Sequence, residues 1–213
     1  MTDTIPEHTP TGWKGGDNLL GWADIVGQEH AKRVIEVALA GDHSAFFVGH
    51  RGSQAEDLAA WGRAHGSTDI YAAYPCACGC YGDPHYECTC SVRLIGAYRK
   101  KHFPKNPADI TVEMPRVADY KITGHLKHGT EPWANVEQRI AAASERRADP
   151  AYQSLTLDEA GEALLRAAVR HLAAGGGECM RIIAVARTIA NLAGSQSIQT
   201  DHLAEAVQYR SRI

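Results

Sequence analysis

The chain has 213 residues, of which 44% are hydrophobic and 22% are charged, and its formal net charge is −3 at pH 7. These values are ordinary for a globular protein of one or two domains, and they exclude a chain drawn to nucleic acid or membrane by net charge alone. No apolar run approaches the roughly 18–20 residues of a membrane span. Residues 1–17 lack the apolar core of a signal peptide, so we expect a flexible leader on a cytoplasmic protein.

The first half of the chain alternates helical and strand patterns. Helices are predicted at about 28–40 (ended by Gly41), 56–64 and 92–101, and short strands at 45–48, 69–73 and 109–113. Strands that are separated by helices favour parallel pairing. We therefore predict an α/β core over residues 18–116, with a small three-stranded parallel sheet and a cysteine-rich insert at 75–91.

The second half, residues 117–213, is predicted to be entirely helical. Its helices are expected at about 131–147, from Thr156 onward, at 178–192 and at 201–210. Thr156 and Glu159 have the spacing of a capping box, which would start the second of these helices. His125 and His128 lie in a polar, glycine-flanked stretch and are expected to be solvated surface residues of a loop.

Five of the six cysteines lie within the segment YPCACGCYGDPHYECTC, residues 74–90. In a reducing compartment, clustered cysteines favour metal binding over disulfides. Two C-x-C pairs flank turn-forming residues, and four thiolates make a closed tetrahedral zinc site. We predict a structural zinc ion held by Cys76, Cys78, Cys88 and Cys90. Cys80 and His85 are alternate ligands. The remaining interpretations are free or partly buried thiols without metal, and disulfides that form only on isolation.

The stretch after the first strand begins as a phosphate-binding loop begins. Counting from Gly49 in the pattern G-x-x-x-x-G-K-[ST], Gln54 replaces the second glycine, Ala55 the lysine and Glu56 the hydroxyl residue. Glu56 puts a carboxylate where a helix N-terminus would otherwise attract phosphate. We interpret the turn, made by Gly49, Arg51, Gly52 and Ser53, as a vestigial nucleotide loop. The positive charge of Arg51 would offset part of the repulsion between Glu56 and a phosphate.

Three segments resemble the AAA+ ATPases of the magnesium-chelatase type, which include ComM-like proteins. They are DIVGQEHAKRVIEVALAGDHSAFFVG at residues 24–49, the cysteine segment, and RTIANLAGS at 187–195 with the helix after it. The resemblance implies an AAA+ sheet followed by a helical lid domain. In the family sheet the strand order is 5-1-4-3-2, and the three strands predicted here correspond to 5-1-4. Loss of strands 2 and 3 would leave strand 4 as an exposed edge that needs cover.

The resemblance also identifies this chain as a shortened and degenerate member. The segment that would carry the magnesium-binding acids is missing, since only about eighteen residues separate Glu56 from Pro75. Tyr74 replaces the sensor asparagine of the family, Pro107 the arginine that acts on a neighbour's nucleotide, and Gly177 the lid arginine. Phosphoryl transfer depends on positioning and charge neutralisation, so we expect no catalytic residues and no ATP cofactor.

These observations favour a nucleotide-independent interaction or structural protein with a zinc site. Its expected partners are a full-length AAA+ relative or a second copy of the chain. The alternative is a divergent ATP-binding ATPase that uses Arg51 as its cation. A zinc-braced accessory protein for nucleic-acid processing is the weaker third possibility, because few aromatic residues are available for stacking on bases.

Overall fold

A computed structural model describes residues 21–66, 69–172 and 175–210. The predicted leader at 1–17 lies outside the described residues. The first half contains three helices, α1 (Glu29–Gly41), α2 (Ala55–Ala64) and α3 (Val92–His102), and three strands, β1 (Ala45–Gly49), β2 (Ile70–Ala73) and β3 (Ile110–Met114). The second half contains α4 (Asp119–His128), α5 (Trp133–Ala148), α6 (Glu159–Leu172), α7 (Gly176–Leu192) and α8 (Thr200–Gln208). Short 3-10 turns occupy Trp22–Asp24 and Pro150–Tyr152.

The three strands form one parallel sheet in the order β2-β1-β3. Ala45 of the central strand lies opposite Ile70 on one side and Ile110 on the other. All five residues of β1 are buried, as expected for a strand covered on both faces. The predicted α/β class, the parallel pairing and the central position of the first strand are confirmed.

The two faces of the sheet are covered unequally. Successive side chains of a strand point to opposite sides, so neighbouring residues of β1 lie in different clusters. Phe47 belongs to a large hydrophobic cluster that includes residues of α1, α2, α5, α7 and α8. Phe46 and Val48 point the other way, into a small cluster with Ala73 and Ala108, against which Phe103 packs. The large cluster is therefore the main core, and the other face is thinly covered.

The helical half shares the main core with the α/β half. Val136 of α5, Ile182 of α7 and Leu203 of α8 lie in the same cluster as Phe47. Polar contacts cross the same boundary: the Thr111 N–H donates to the Tyr209 carbonyl at 2.8 Å. The segment after α8 thus pairs with the outer edge of β3, whereas β2 has only β1 as a strand neighbour within the described ranges.

Three local predictions are wrong. Helix α1 does not stop before Gly41 but includes it, and Asp42 makes the left-handed turn with φ 58°. The helix after residue 156 begins at Glu159, because Asp158 Oδ1 accepts the Gly161 N–H at 2.7 Å and takes the capping role assigned to Thr156. The Thr156 hydroxyl instead contacts Ser154 Oγ at 2.7 Å.

The third error concerns the loop predicted around His125 and His128, which is helix α4. Its pattern is obscured by Gly124, but a tertiary contact holds the helix in place. Lys121 lies against Gly27, and its Nζ donates to the Gly27 carbonyl at 3.2 Å. No helix within the described part of the chain is both long and apolar enough to cross a membrane.

Candidate metal centre and glycine loop

The cysteine segment folds back so that four thiols converge. Their sulfur atoms, those of Cys76, Cys78, Cys88 and Cys90, all lie within 4.8 Å of one another. The first pair follows β2 and the second precedes α3, whose start is capped by Ser91 Oγ accepting the Leu94 N–H at 3.2 Å. Gly79 and Gly82 have φ near +80°, a conformation that favours glycine, and they reverse the chain between the pairs.

The spacing of the sulfurs suits a tetrahedral ion. The distances are 3.4 Å for Cys76 to Cys78, 3.7 Å for Cys76 to Cys88 and 3.6 Å for Cys78 to Cys88. A tetrahedron with zinc–sulfur bonds of about 2.3 Å has edges of about 3.8 Å. The donor set and its geometry therefore fit a four-thiolate metal ion.

The thiols shift one another's pKa values. Burial raises the pKa of Cys78, but hydrogen bonds to its sulfur from the Cys80 backbone, the Cys76 thiol and other neighbours outweigh burial and lower the pKa to about 6. Burial and the neighbouring thiols raise the pKa of Cys88 to about 12. Without metal, the surroundings therefore favour deprotonation of Cys78 over deprotonation of Cys88. Metal binding requires thiolates, so a bound cation would release protons from the cluster and neutralise its negative charge.

The two alternate ligands lie outside this set of four. The Cys80 thiol donates to the Cys78 carbonyl at 3.5 Å. His85 is exposed, and its backbone N–H donates to Asp83 Oδ1 at 2.8 Å. These contacts give both residues roles in the turn of the insert.

The glycine loop joins β1 to α2 through His50–Gln54 and is tightly packed. A side chain on Gly49 would approach Ser53 Oγ to 2.3 Å and Ala55 Cβ to 2.4 Å. Gly52 has φ 77° and Gln54 has φ 61°. Ser53 is buried, and its carbonyl accepts from Gln28 Nε2 at 3.0 Å. The turn is therefore closely packed and hydrogen-bonded to the segment before α1.

Sequence analysis missed two glutamines that hold this loop. Gln28 is buried, and its Nε2 also donates to the Pro115 carbonyl at 2.8 Å. Gln54, at the position of the second motif glycine, accepts the Val26 N–H through Oε1 at 2.9 Å. An amide in place of that glycine thus ties the loop to the segment before α1. No local pattern signals these contacts, since the partners lie 25 to 87 residues apart.

The cysteine segment lies directly on the loop. The Arg51 N–H donates to the Gly79 carbonyl at 3.3 Å, and His50 Nε2 lies 3.0 Å from the Tyr81 carbonyl. The Tyr81 N–H in turn donates to Cys76 Sγ at 3.3 Å. A Cβ on Gly79 would come within 2.8 Å of Arg51 Cγ, so the Arg51 side chain lies directly against Gly79. One hydrogen-bonded path therefore joins the candidate metal centre to the loop.

A further arginine, which sequence analysis missed, reaches the loop from the segment after β3. A Cβ on Gly52 would lie 3.1 Å from Arg116 Nη1, so the guanidinium covers this glycine. The same guanidinium contacts Asp83 at 3.4 Å and lies 4.4 Å from the centre of the Tyr86 ring. Arg116 thus clamps the insert and the loop together.

The first turn of α2 carries acids beside this loop. Burial, and secondarily the charge of Asp57, raise the pKa of Glu56. Burial also raises the pKa of Asp57. A carboxylate at this helix start complements the helix dipole but competes with a bound phosphate.

Family comparisons identify the scaffold. Residues 130–210 match the family described as magnesium chelatase, subunit ChlI C-terminal, and residues 21–61 match magnesium chelatase, subunit ChlI. The two matched ranges cover more than half of the chain. The chain belongs to the magnesium-chelatase family. The competence protein ComM of Haemophilus influenzae is 47% identical over 38 residues, which are 18% of this chain and 8% of that relative.

The matched ranges locate the site within this magnesium-chelatase family member. The first range contains the entry segment, β1, the glycine loop and most of α2, and the second contains α5 to α8. The four thiols lie between the two ranges. The metal centre is therefore built on a segment outside both matches, and it packs onto a loop inside one of them.

Proposed function

We propose that this chain is a degenerate member of the magnesium-chelatase family that acts without nucleotide as an interaction or structural module. Its glycine loop serves as a structural turn, and a structural zinc ion braces the insert that covers the loop. The observation that carries this proposal is the contact of the Arg51 N–H with the Gly79 carbonyl.

This contact matters because phosphate-binding loops work through free backbone N–H groups that point at the anion. In this chain an N–H of the loop is already used by the insert. The lysine and hydroxyl positions hold Ala55 and Glu56, which provide neither a cation nor a magnesium ligand. The guanidinium of Arg116, a second cation beside the loop, is engaged by Asp83. This arrangement favours a loop whose polar groups are occupied by contacts within the protein over a loop that binds nucleotide.

Zinc fits the proposal as a brace. Cys76, Cys78, Cys88 and Cys90 would hold it, and a four-thiolate ion has no open position for a water nucleophile. When bound, the ion supplies a cross-link between the ends of the insert. The residues of the insert then keep the Gly79 and Tyr81 carbonyls against the loop.

Titration calorimetry with Mg·ATP, combined with elemental analysis for zinc on the same preparation, tests the proposal. We expect bound zinc and no heat of nucleotide binding. Magnesium-dependent ATP binding that Arg51→Ala abolishes would overturn it and favour the divergent ATPase. Arg93→Ala is the matched control, because it removes an exposed arginine of α3 outside the loop.

The partner is proposed to be a full-length relative of the ComM type or a second copy of this chain. Analytical ultracentrifugation of the chain alone, and of the chain mixed with a full-length relative, measures both associations. A new, faster-sedimenting species is expected in at least one sample. A strictly monomeric chain in both samples would contradict the interaction role.

A second candidate function rests on local charge. Residues 88–108 contain five Lys or Arg residues and no Asp or Glu, although the whole chain is acidic. Arg93, Lys100, Lys101 and Lys105 are exposed. A basic stretch beside a metal-braced loop favours an accessory role on nucleic acid. Fluorescence anisotropy with a single-stranded oligonucleotide would then show affinity that falls steeply with salt, whereas salt-independent or undetectable binding would exclude this function.

A further inference from the structure

A cavity of about 240 Å³ lies at the thinly covered face of the sheet, near the carboxyl ends of the strands. Val48 and His50 at the end of β1, Pro75 after β2 and Glu113 of β3 line it. Tyr81 of the insert and Arg99 of α3 also line it. The strand ends, the insert and α3 therefore contribute to one concave space.

The position of this cavity is the one at which open parallel sheets bind ligands. The chain leaves β1 to form β2 on one side and then crosses to form β3 on the other side. At such a switch point the connections diverge and leave a crevice outside the carboxyl ends of the strands. The cavity occupies this crevice, but it is bounded by side chains of the insert and α3 rather than by the first turn of α2.

A cation is held rigidly at the wall. Arg99 Nε donates to the Pro75 carbonyl at 3.1 Å, and its guanidinium lies 5.2 Å from the Tyr81 ring centre and 5.5 Å from the Phe103 ring centre. A guanidinium carries five N–H donors, so one bond to Pro75 leaves donors for a further acceptor. A fixed, partly buried guanidinium is well suited to bind a carboxylate through a bidentate pair of hydrogen bonds.

Two further polar residues line the same space, His50 after β1 and Glu113 of β3. His50 is anchored there, because its Nε2 lies 3.0 Å from the Tyr81 carbonyl. Glu113 adds an acidic side chain to the lining on the side of β3. The lining thus includes a cation and an acid.

We propose that this cavity binds a small carboxylate that carries an amino or hydroxyl group beside its acid group. The carboxylate pairs with Arg99, the neighbouring donor pairs with Glu113, and the carbon skeleton rests on Val48 and Pro75. A volume of about 240 Å³ lies below the roughly 300–1,000 Å³ of pockets for drug-sized ligands. The site therefore suits a molecule of amino-acid or hydroxy-acid size. This assignment goes beyond the proposed function and stands without it.

Heteronuclear NMR titration of the full chain with L-serine, glycolate, acetate and inorganic phosphate tests the proposal. We expect serine or glycolate, at millimolar concentration, to shift the resonances of His50, Tyr81 and Arg99. Acetate, which lacks the neighbouring donor, should bind more weakly. Arg99→Gln should weaken binding by about tenfold or more, because a charge-assisted hydrogen bond is lost. Lys100→Gln, the matched control on the same helix, should change it by less than about twofold.

Glu113→Gln separates ligand contact from a structural effect. Glu113 is exposed, so the variant should fold, and it should weaken serine or glycolate binding while leaving acetate binding unchanged. The proposal is overturned if serine and glycolate cause no shifts. Shifts caused by phosphate alone, or equal losses in the Arg99 and Lys100 variants, would also overturn it.

Discussion

Replacing Cys88 by serine tests the link between the metal centre and the glycine loop. The Cys88 sulfur lies 3.7 Å from that of Cys76 and 3.6 Å from that of Cys78, so the change removes a central member of the cluster. A hydroxyl is a poor zinc ligand beside thiolates, and three remaining sulfurs do not complete a structural site. We expect bound zinc to fall from about one ion per chain to nearly none.

The structural consequence can be estimated from the length of the cross-linked segment. Cys76 and Cys90 enclose a 15-residue stretch. Cross-linking a stretch of this length stabilises the folded arrangement by about 3 kcal/mol on a chain-entropy model. Loss of the ion should raise the local opening equilibrium by roughly 100-fold. Since Gly79 and Tyr81 contact Arg51 and His50, amide exchange should accelerate in the loop as well as in the insert.

Elemental analysis and hydrogen exchange detected by mass spectrometry measure the two effects. Cys80→Ser is the matched control, because Cys80 lies outside the set of four and its thiol donates to the Cys78 carbonyl, so its loss should leave zinc bound. Full zinc occupancy in the Cys88 variant, or loss of zinc from the Cys80 variant, would refute the ligand assignment. Zinc loss with unchanged exchange in residues 49–54 would refute the coupling.

Three further predictions concern the scaffold. Arg187→Met should lower the free energy of unfolding in urea by about 3–5 kcal/mol, because the Ser195 and Gln196 carbonyls lose the buried guanidinium that donates to them. A loss below about 1 kcal/mol would contradict this role. Burial lowers the pKa of His43 in the folded protein. As pH falls, the unfolded chain therefore takes up a proton on His43 at a higher pH than the folded protein does, and the free energy of unfolding should fall below about pH 6.5. His43→Gln should flatten that part of the pH–stability curve, and an unchanged slope would exclude this histidine as the cause. Gly49→Ala should cost about 1–3 kcal/mol in thermal unfolding, since its methyl group would overlap Ser53 and Ala55, whereas an unchanged melting temperature would show that the loop yields.

Local patterns predicted the elements near the metal centre well. The strand at 45–48 and the helix at 92–101 agree with β1 and α3 to within one residue, because an apolar run and a capped periodic stretch are local signals. Helix α4 was missed because its own sequence is a weak helix signal and Lys121 owes its place to Gly27, 94 residues away. The predicted helix start at Thr156 was wrong for a similar reason. Several polar residues near it can cap a helix N-terminus, and the surrounding structure decides which of them does.

The sequence by itself determined the family and the parallel three-stranded sheet. It also determined which four cysteines lie close enough along the chain to converge on one ion. It also determined that positions 55 and 56 carry no cation and no hydroxyl. Only the tertiary structure decided that the insert lies on the glycine loop, that Arg116 covers Gly52, and that Arg99 and Glu113 share one cavity. These arrangements join residues from separate elements. Their energies come from contacts that exist only after the chain has collapsed, and such contacts leave no periodic signal along the chain.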